Sequence, residues 1–211
     1  MKVIIQKNKF KKTALFIHGF GKTGDQWNIS EYNKEINIEL HIRKTHNTIL
    51  ITLHENDYLR PIFDVSDEIF KLIKDLINTK IICITHSYGS FYAMSMSIQH
   101  PKLFDKIIML DPTLKTTKYF EYLKTLDHND INQYKIDNFD IIYPNHLDIP
   151  KNVIMKIHFN INTNTNANMK LKELDKITKQ NTKSRLMVHV DVGHMIHYKI
   201  PHIIIDSIKN I

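Results

Sequence analysis

One serine stands where its hydroxyl could attack a carbonyl. The apolar run Ile81-Ile82-Cys83-Ile84 stops at Thr85-His86-Ser87, and the small-residue stretch Tyr88-Gly89-Ser90 follows at once. A short β-branched strand broken by a serine and continued by a helix start is the pattern of a nucleophile elbow, a strained turn that lifts the hydroxyl above a sheet edge. A serine hydroxyl is a poor nucleophile until a base removes its proton, and the oxyanion formed on attack needs preset donors. The chain offers a candidate base in Asp191-Val192-Gly193-His194 and a candidate oxyanion loop in His18-Gly19-Phe20.

Each of these residues also has a plainer reading. A serine after a strand can simply cap a helix, and His18-Gly19-Phe20 can be a loop that turns the chain. With 13 histidines in the chain, any one is by default a surface or core residue. His197 is the first fallback as base, and the His86 side chain is expected to pack under the turn, away from the cleft. Gly21-Lys22-Thr23 lacks the preceding glycine of a phosphate-binding loop. His194 and His197 have no glutamate between them in the zinc-protease manner. The reading therefore calls for no metal and no cofactor. His54-Glu55-Asn56-Asp57 either lines the cleft rim or forms a solvated loop.

These residues need elements to hold them. Apolar, β-branched stretches predict strands at Val3–Gln6, Thr13–Ile17, Thr48–Leu53, Ile81–Ile84, Lys106–Leu110, Val153–Phe159 and Arg185–Val190. Helical spacing of Val65, Ile69, Leu72, Ile73 and Leu76 predicts a helix over Asp64–Asn78, capped by Asp64 or Ser66. Further helices are expected at Glu31–Arg43, Ser90–Gln99, Tyr119–Leu126, Met169–Lys179 and Pro201–Lys209, the last with proline in its first turn. Asn160–Asn168 is a low-complexity Asn/Thr loop. Strands alternating with helices imply one α/β domain over 1–211 with a mostly parallel sheet covered on both faces.

Four landmarks in order now give the chain a family likeness: Phe16-Ile17-His18-Gly19-Phe20-Gly21, Thr85-His86-Ser87-Tyr88-Gly89, Ile108-Met109-Leu110-Asp111-Pro112 and Asp191-Val192-Gly193-His194. From Thr13 to its end the chain resembles the α/β-hydrolase family. The resemblance implies Ser87 as nucleophile, His194 as base, and the backbone N–H groups of Phe20 and Tyr88 as the oxyanion hole. It makes residues 114–150 a short cap, polar in composition, over a small or single-chain acyl substrate. Thr85 departs from the pattern, which has glycine there, and its branched carbon is expected to crowd the turn. The family's usual acid position falls in Asn160–Asn164, which holds no carboxylate. Two readings stay open: Asp111, at the alternative seat used by some members, or an amide of that loop. Asp191 is taken to end its strand.

The resemblance implies a serine hydrolase cleaving an ester, thioester or related acyl bond. An acyltransferase or lyase would use the same residues, and a non-catalytic binding module could keep the fold. The net charge of +7 comes from lysines spread along the whole chain, which reads as a solvated surface rather than a nucleic-acid face. No apolar run is long enough to span a bilayer. A single cysteine, Cys83, points to a reducing, cytoplasmic setting.

Overall fold

A computed structural model of the chain describes residues 1–28, 37–115, 117–126, 130–144, 149–161 and 168–209. Its centre is a seven-stranded sheet in the order β1-β3-β2-β4-β5-β6-β7. The strands are β1 (Lys2–Gln6), β2 (Thr13–Ile17), β3 (Asn47–Thr52), β4 (Ile81–His86), β5 (Phe104–Leu110), β6 (Ile154–Ile161) and β7 (Arg185–Val190). β1 runs antiparallel to β3, and every other pairing is parallel.

The near-continuous apolar runs of β2, β3, β4 and β5 follow from burial on both faces. Alternate residues of one strand feed two cores. Leu15, Ile17, Cys83, Ile107 and Met109 pack with Val65, Ile69, Phe91, Tyr92, Leu174 and Ile177. Those partners come from α2 (Ile62–Ile73), α3 (Gly89–Gln99) and α7 (Asn168–Lys179). Ala14, Phe16, Ile82, Ile84 and Ile108 face the other way, onto Trp27, Ile42, Ile204 and Ile208. Ile42 belongs to α1 (Ile38–Arg43), and the last two to α9 (Pro201–Lys209). Between β5 and β6 lie α4 (Thr117–Thr125), α5 (Asp130–Asp137) and α6 (Phe139–Ile142). A short α8 (Ile196–Lys199) precedes α9. Among the described residues, no helix is long and apolar enough to cross a membrane.

α2 departs from the sequence reading at both ends, its α-helix stopping at Ile73 before a 3-10 turn over Lys74–Leu76 rather than running to Asn78. α2 begins at Ile62, one turn's fraction before the expected Asp64, so Pro61 takes the N-cap position and neither Asp64 nor Ser66 does. Ser66 is fully buried, its hydroxyl 3.4 Å from the Tyr92 carbonyl of α3. The expected helix at Glu31–Arg43 is described only from Ile38, where the Asn37 side chain accepts from the Leu40 N–H; residues 31–36 lie outside the described residues.

The chain leaves β2 for β3 on one side, then returns to β4 on the other. Such a reversal opens a crevice at the carboxyl ends of the two strands, the usual ligand position in sheets of this kind. The ends in question carry His18-Gly19 and Ser87.

Candidate active site

β4 ends at His86, and Ser87 then takes a left-handed backbone with φ of 49°. For a residue with a Cβ that conformation costs about 1–2 kcal/mol, so the surroundings must hold it. They do so through both backbone groups: the Ser87 N–H donates to the Leu110 carbonyl at 2.9 Å, and its own carbonyl accepts from Ser90 and Thr113, each at 3.1 Å. Thr85 precedes this turn by two residues. It is fully buried, and its hydroxyl lies 3.2 Å from the Ser90 hydroxyl in the first turn of α3, so the extra atoms tie strand to helix.

Gly89 shows why that helix start is small. A Cβ built on it would lie 2.6 Å from both the Ile17 and His18 carbonyl oxygens. Gly19 is equally confined, since its Cβ would meet the His86 ring nitrogen Nδ1 at 2.8 Å. The start of α3 therefore touches the end of β2 backbone to backbone, and the His86 ring presses on Gly19.

His18 fixes the loop opposite. Its Nδ1 lies 2.6 Å from the Gly19 carbonyl, and its Nε2 accepts from the Leu53 N–H at 2.8 Å. Only the neutral ring with its proton on Nδ1 satisfies both. Burial lowers the His18 pKa and favours that neutral form. The Tyr58 hydroxyl, at 3.3 Å, also donates to the Gly19 carbonyl. With that carbonyl turned inward, the loop continues to Phe20, whose ring is more than half exposed and lies 4.6 Å from Tyr58 and 5.9 Å from Tyr88. Among the described residues, neither the Phe20 nor the Tyr88 backbone N–H has a hydrogen-bond partner.

Asp111 follows β5 and is also left-handed, with φ of 42°. Its N–H donates to the His158 carbonyl at 2.7 Å, and its carboxylate accepts from His194 Nδ1. The Asn160 N–H lies 3.4 Å from the other carboxylate oxygen, and the Lys170 ammonium lies 3.7 Å away. Burial alone would raise the Asp111 carboxyl. The His194 hydrogen bond and Lys170 outweigh it, and the group is held below the ordinary carboxylate range. An ionised carboxylate can only accept, so His194 carries a proton on Nδ1.

The His194 loop is held from below. His86 is almost fully buried, with Nε2 3.0 Å from the His194 carbonyl and its ring against those of His194 and His197. Burial, then repulsion from His194, depresses its pKa to about 4. His197, the fallback base, is buried between Trp27 and His86. Asp191 directly follows β7, with φ of 54° and its N–H on the Ile161 carbonyl.

Ser87, Asp111, His194, Phe20 and Tyr88 are thus gathered at one end of the sheet. The Ser87 hydroxyl itself sits 3.4 Å from the Thr113 hydroxyl, and among the described residues it makes no hydrogen bond to His194. Hydrogen bonds of this kind often lengthen without substrate, and the His194 side chain is half exposed while its Nδ1 stays on Asp111. Of the acid alternatives, Asn162 and Asn164 lie outside the described residues. Asn160 is committed elsewhere, its side-chain oxygen accepting from the Val192 N–H at 3.0 Å. Sequence reasoning missed Thr113 and Lys170. The former is two residues beyond Asp111 and had a signal in Asp-Pro-Thr; the latter reaches in from α7, which no local pattern reveals. Asp57, placed on a cleft rim or solvated loop, is instead buried and paired with Met1 and Arg60.

The architecture has many solved counterparts. Carboxylesterases from Nitrososphaera gargenis match with a TM-score of 0.69 and 13% identity, over 99% of this chain and 92% of theirs. A thermophilic esterase from Thermogutta terrifontis gives 0.67 and 11%, over 98% and 91%. A hydrolase from Oleispira antarctica gives 0.67 and 13%, over 99% and 94%. The chain has the α/β-hydrolase fold. Within that α/β-hydrolase frame the strand ends, the left-handed serine and the histidine loop occupy one rim. No protein-family model matches the sequence, and no curated protein does.

Proposed function

We propose that the protein is a serine hydrolase acting on a carboxylic ester, thioester or related acyl bond. The observation that carries this reading is the pairing of a strained, left-handed Ser87 with a histidine already hydrogen-bonded to a buried carboxylate. A left-handed serine costs stability, and such strain persists mainly where function uses it. In the proposed cycle the Ser87 Oγ attacks the carbonyl carbon while His194 Nε2 takes its proton. The carbonyl oxygen becomes an oxyanion between the Phe20 and Tyr88 N–H groups, and Asp111 stabilises the imidazolium. Collapse expels the alcohol or thiol, which receives the proton from His194. Water, deprotonated by the same nitrogen, then releases the acid and frees Ser87.

Residues 114–150 serve as the cap in this reading. Among the described residues of this stretch, Glu121, Lys124, Gln133, Asp137 and Asp140 are exposed. Inward, Tyr119, Phe139 and Tyr143 form ring contacts with one another, and Tyr143 reaches Tyr88 and Phe91. Such walls suit a slim acyl chain. One observation favours the non-catalytic alternative, a binding module on this fold: the Ser87 hydroxyl faces Thr113 rather than His194. Hydrolysis of short p-nitrophenyl esters separates the two. The hydrolase reading expects turnover that falls to background in Ser87→Ala with the fold intact. Equal activity of the two proteins would overturn it.

A further inference from the structure

α5 turns a buried cation toward the rings that flank the proposed oxyanion loop. Lys135 is only 3% exposed, yet its ammonium lies 4.7 Å over the Phe20 ring and 5.7 Å from the Tyr88 ring. Among the described residues it has no anionic partner. Asp57, on the segment packed against α5, is paired with the Met1 amino group at 3.1 Å and Arg60 at 3.7 Å, and Asp137 of α5 accepts from the Gln133 amide at 2.7 Å. Ring faces attract a cation but accept none of its three N–H bonds. A desolvated ammonium held by aromatic faces alone is incompletely compensated, because buried charges ordinarily gain a counter-charge and hydrogen bonds.

The rings beneath Lys135 belong to the two residues whose backbone N–H groups would receive the oxyanion. A counter-charge reaching Lys135 would therefore enter with whatever occupies the cleft. We infer that Lys135 is a specificity-determining residue that binds a carboxylate carried on the acyl substrate, at a distance from the carbonyl that reacts. This rests on the hydrolase reading above. A carboxylate fits better than a phosphate group. Among the described residues Lys135 is the cation set over these two rings; one ammonium matches a single negative charge, whereas phosphate sites gather several donors or a bidentate arginine.

The test compares two p-nitrophenyl esters of equal chain length, the neutral hexanoate and the half-ester of adipic acid, whose far end is a carboxylate. Truncating one member of a buried charge pair costs roughly 30-fold or more in affinity. In Lys135→Met, the ratio of kcat/KM for the half-ester over the hexanoate is expected to fall by about that factor, mostly through KM, and Lys135→Arg should restore most of it. A merely structural role would slow both esters together and leave the ratio alone. That result, or a wild-type ratio at or below one, would overturn the inference while leaving the hydrolase reading standing. The opposite failure is also visible. With Ser87→Ala protein, calorimetry should detect monomethyl adipate more strongly than methyl hexanoate, and adding Lys135→Met should abolish the difference. If that holds although wild type hydrolyses neither ester, the anion site stands and the hydrolase reading falls. If the two esters bind alike, the site is refuted without reference to turnover.

Discussion

Gly89→Ala probes the contact on which the whole elbow depends. The new methyl would lie 2.6 Å from two backbone oxygens, Ile17 and His18, where real Cβ atoms stay beyond 3.0 Å. Neither oxygen is the far end of a flexible side chain, so α3 and the end of β2 must part by about 0.4 Å or more. Overpacking of this kind typically costs about 1–3 kcal/mol, and the better helix propensity of alanine returns at most about 1 kcal/mol. A net loss of about 1–2 kcal/mol corresponds, for a chain of this size, to a melting temperature lower by roughly 2–8 °C. The larger effect should fall on the site, because the parting separates the Tyr88 N–H from the Phe20 N–H. Misplacement of reacting groups by about 1 Å costs on the order of a hundredfold, so a shift of under half that should slow ester turnover by roughly tenfold. Calorimetric melting and p-nitrophenyl butyrate kinetics read the two effects. A variant that melts at or above the wild-type temperature and turns over at the wild-type rate would refute the backbone-contact argument.

Three further outcomes follow from the same geometry. Asp111→Asn should lower turnover by about four orders of magnitude, because the amide favours the wrong His194 tautomer; a loss of less than tenfold would move the acid elsewhere. His194→Ala should abolish ester turnover, whereas His197→Ala should mainly lower the melting temperature, since His197 is buried against Trp27 and His86; the reverse pattern would make His197 the base. Acid should unfold the protein through its buried neutral histidines. Burial first, then neighbouring histidines, depresses His86 to about 4 and His158 to about 3, so the unfolded chain binds protons first and stability falls as pH drops from 6.5 towards 4 and below. His86 alone accounts for about 3 kcal/mol by pH 4, a large part of a typical 5–15 kcal/mol total. A urea midpoint unchanged between pH 7 and pH 4.5 would contradict this.

Most strands were legible because both faces of a parallel sheet demand apolar residues, which leaves runs such as Ile81–Ile84 and Lys106–Leu110 conspicuous. β7 and α9 begin and end where their patterns do. α2 was misplaced at its start because Asp64 and Ser66 look like caps, yet the chain was already helical from Ile62, with Ser66 drawn into the core by α3. At the site, Ser87 and Gly89 were legible as local spacing. The approach of Asp111 to His194 depends instead on β5 and β6 lying side by side, with Asp111 bonded to the end of β6. Lys170 and Lys135 had no local signature, and Thr113 had only its place two residues beyond Asp111. Each enters through tertiary placement: a backbone bond to Ser87, a reach from α7, and a lysine of α5 set over two aromatic rings.

An activated nucleophile at Ser87 is the feature that separates a serine hydrolase from a binding module on this fold. Treatment with a fluorophosphonate probe at pH 7.5, followed by peptide mass spectrometry, reads this without knowledge of the natural substrate, because covalent attachment needs both the activated hydroxyl and an oxyanion site. The expected result is stoichiometric labelling confined to Ser87, lost in Ser87→Ala and strongly slowed in Asp111→Asn and His194→Ala. An unlabelled, folded wild-type protein, or label on another residue at an equal rate, would contradict it.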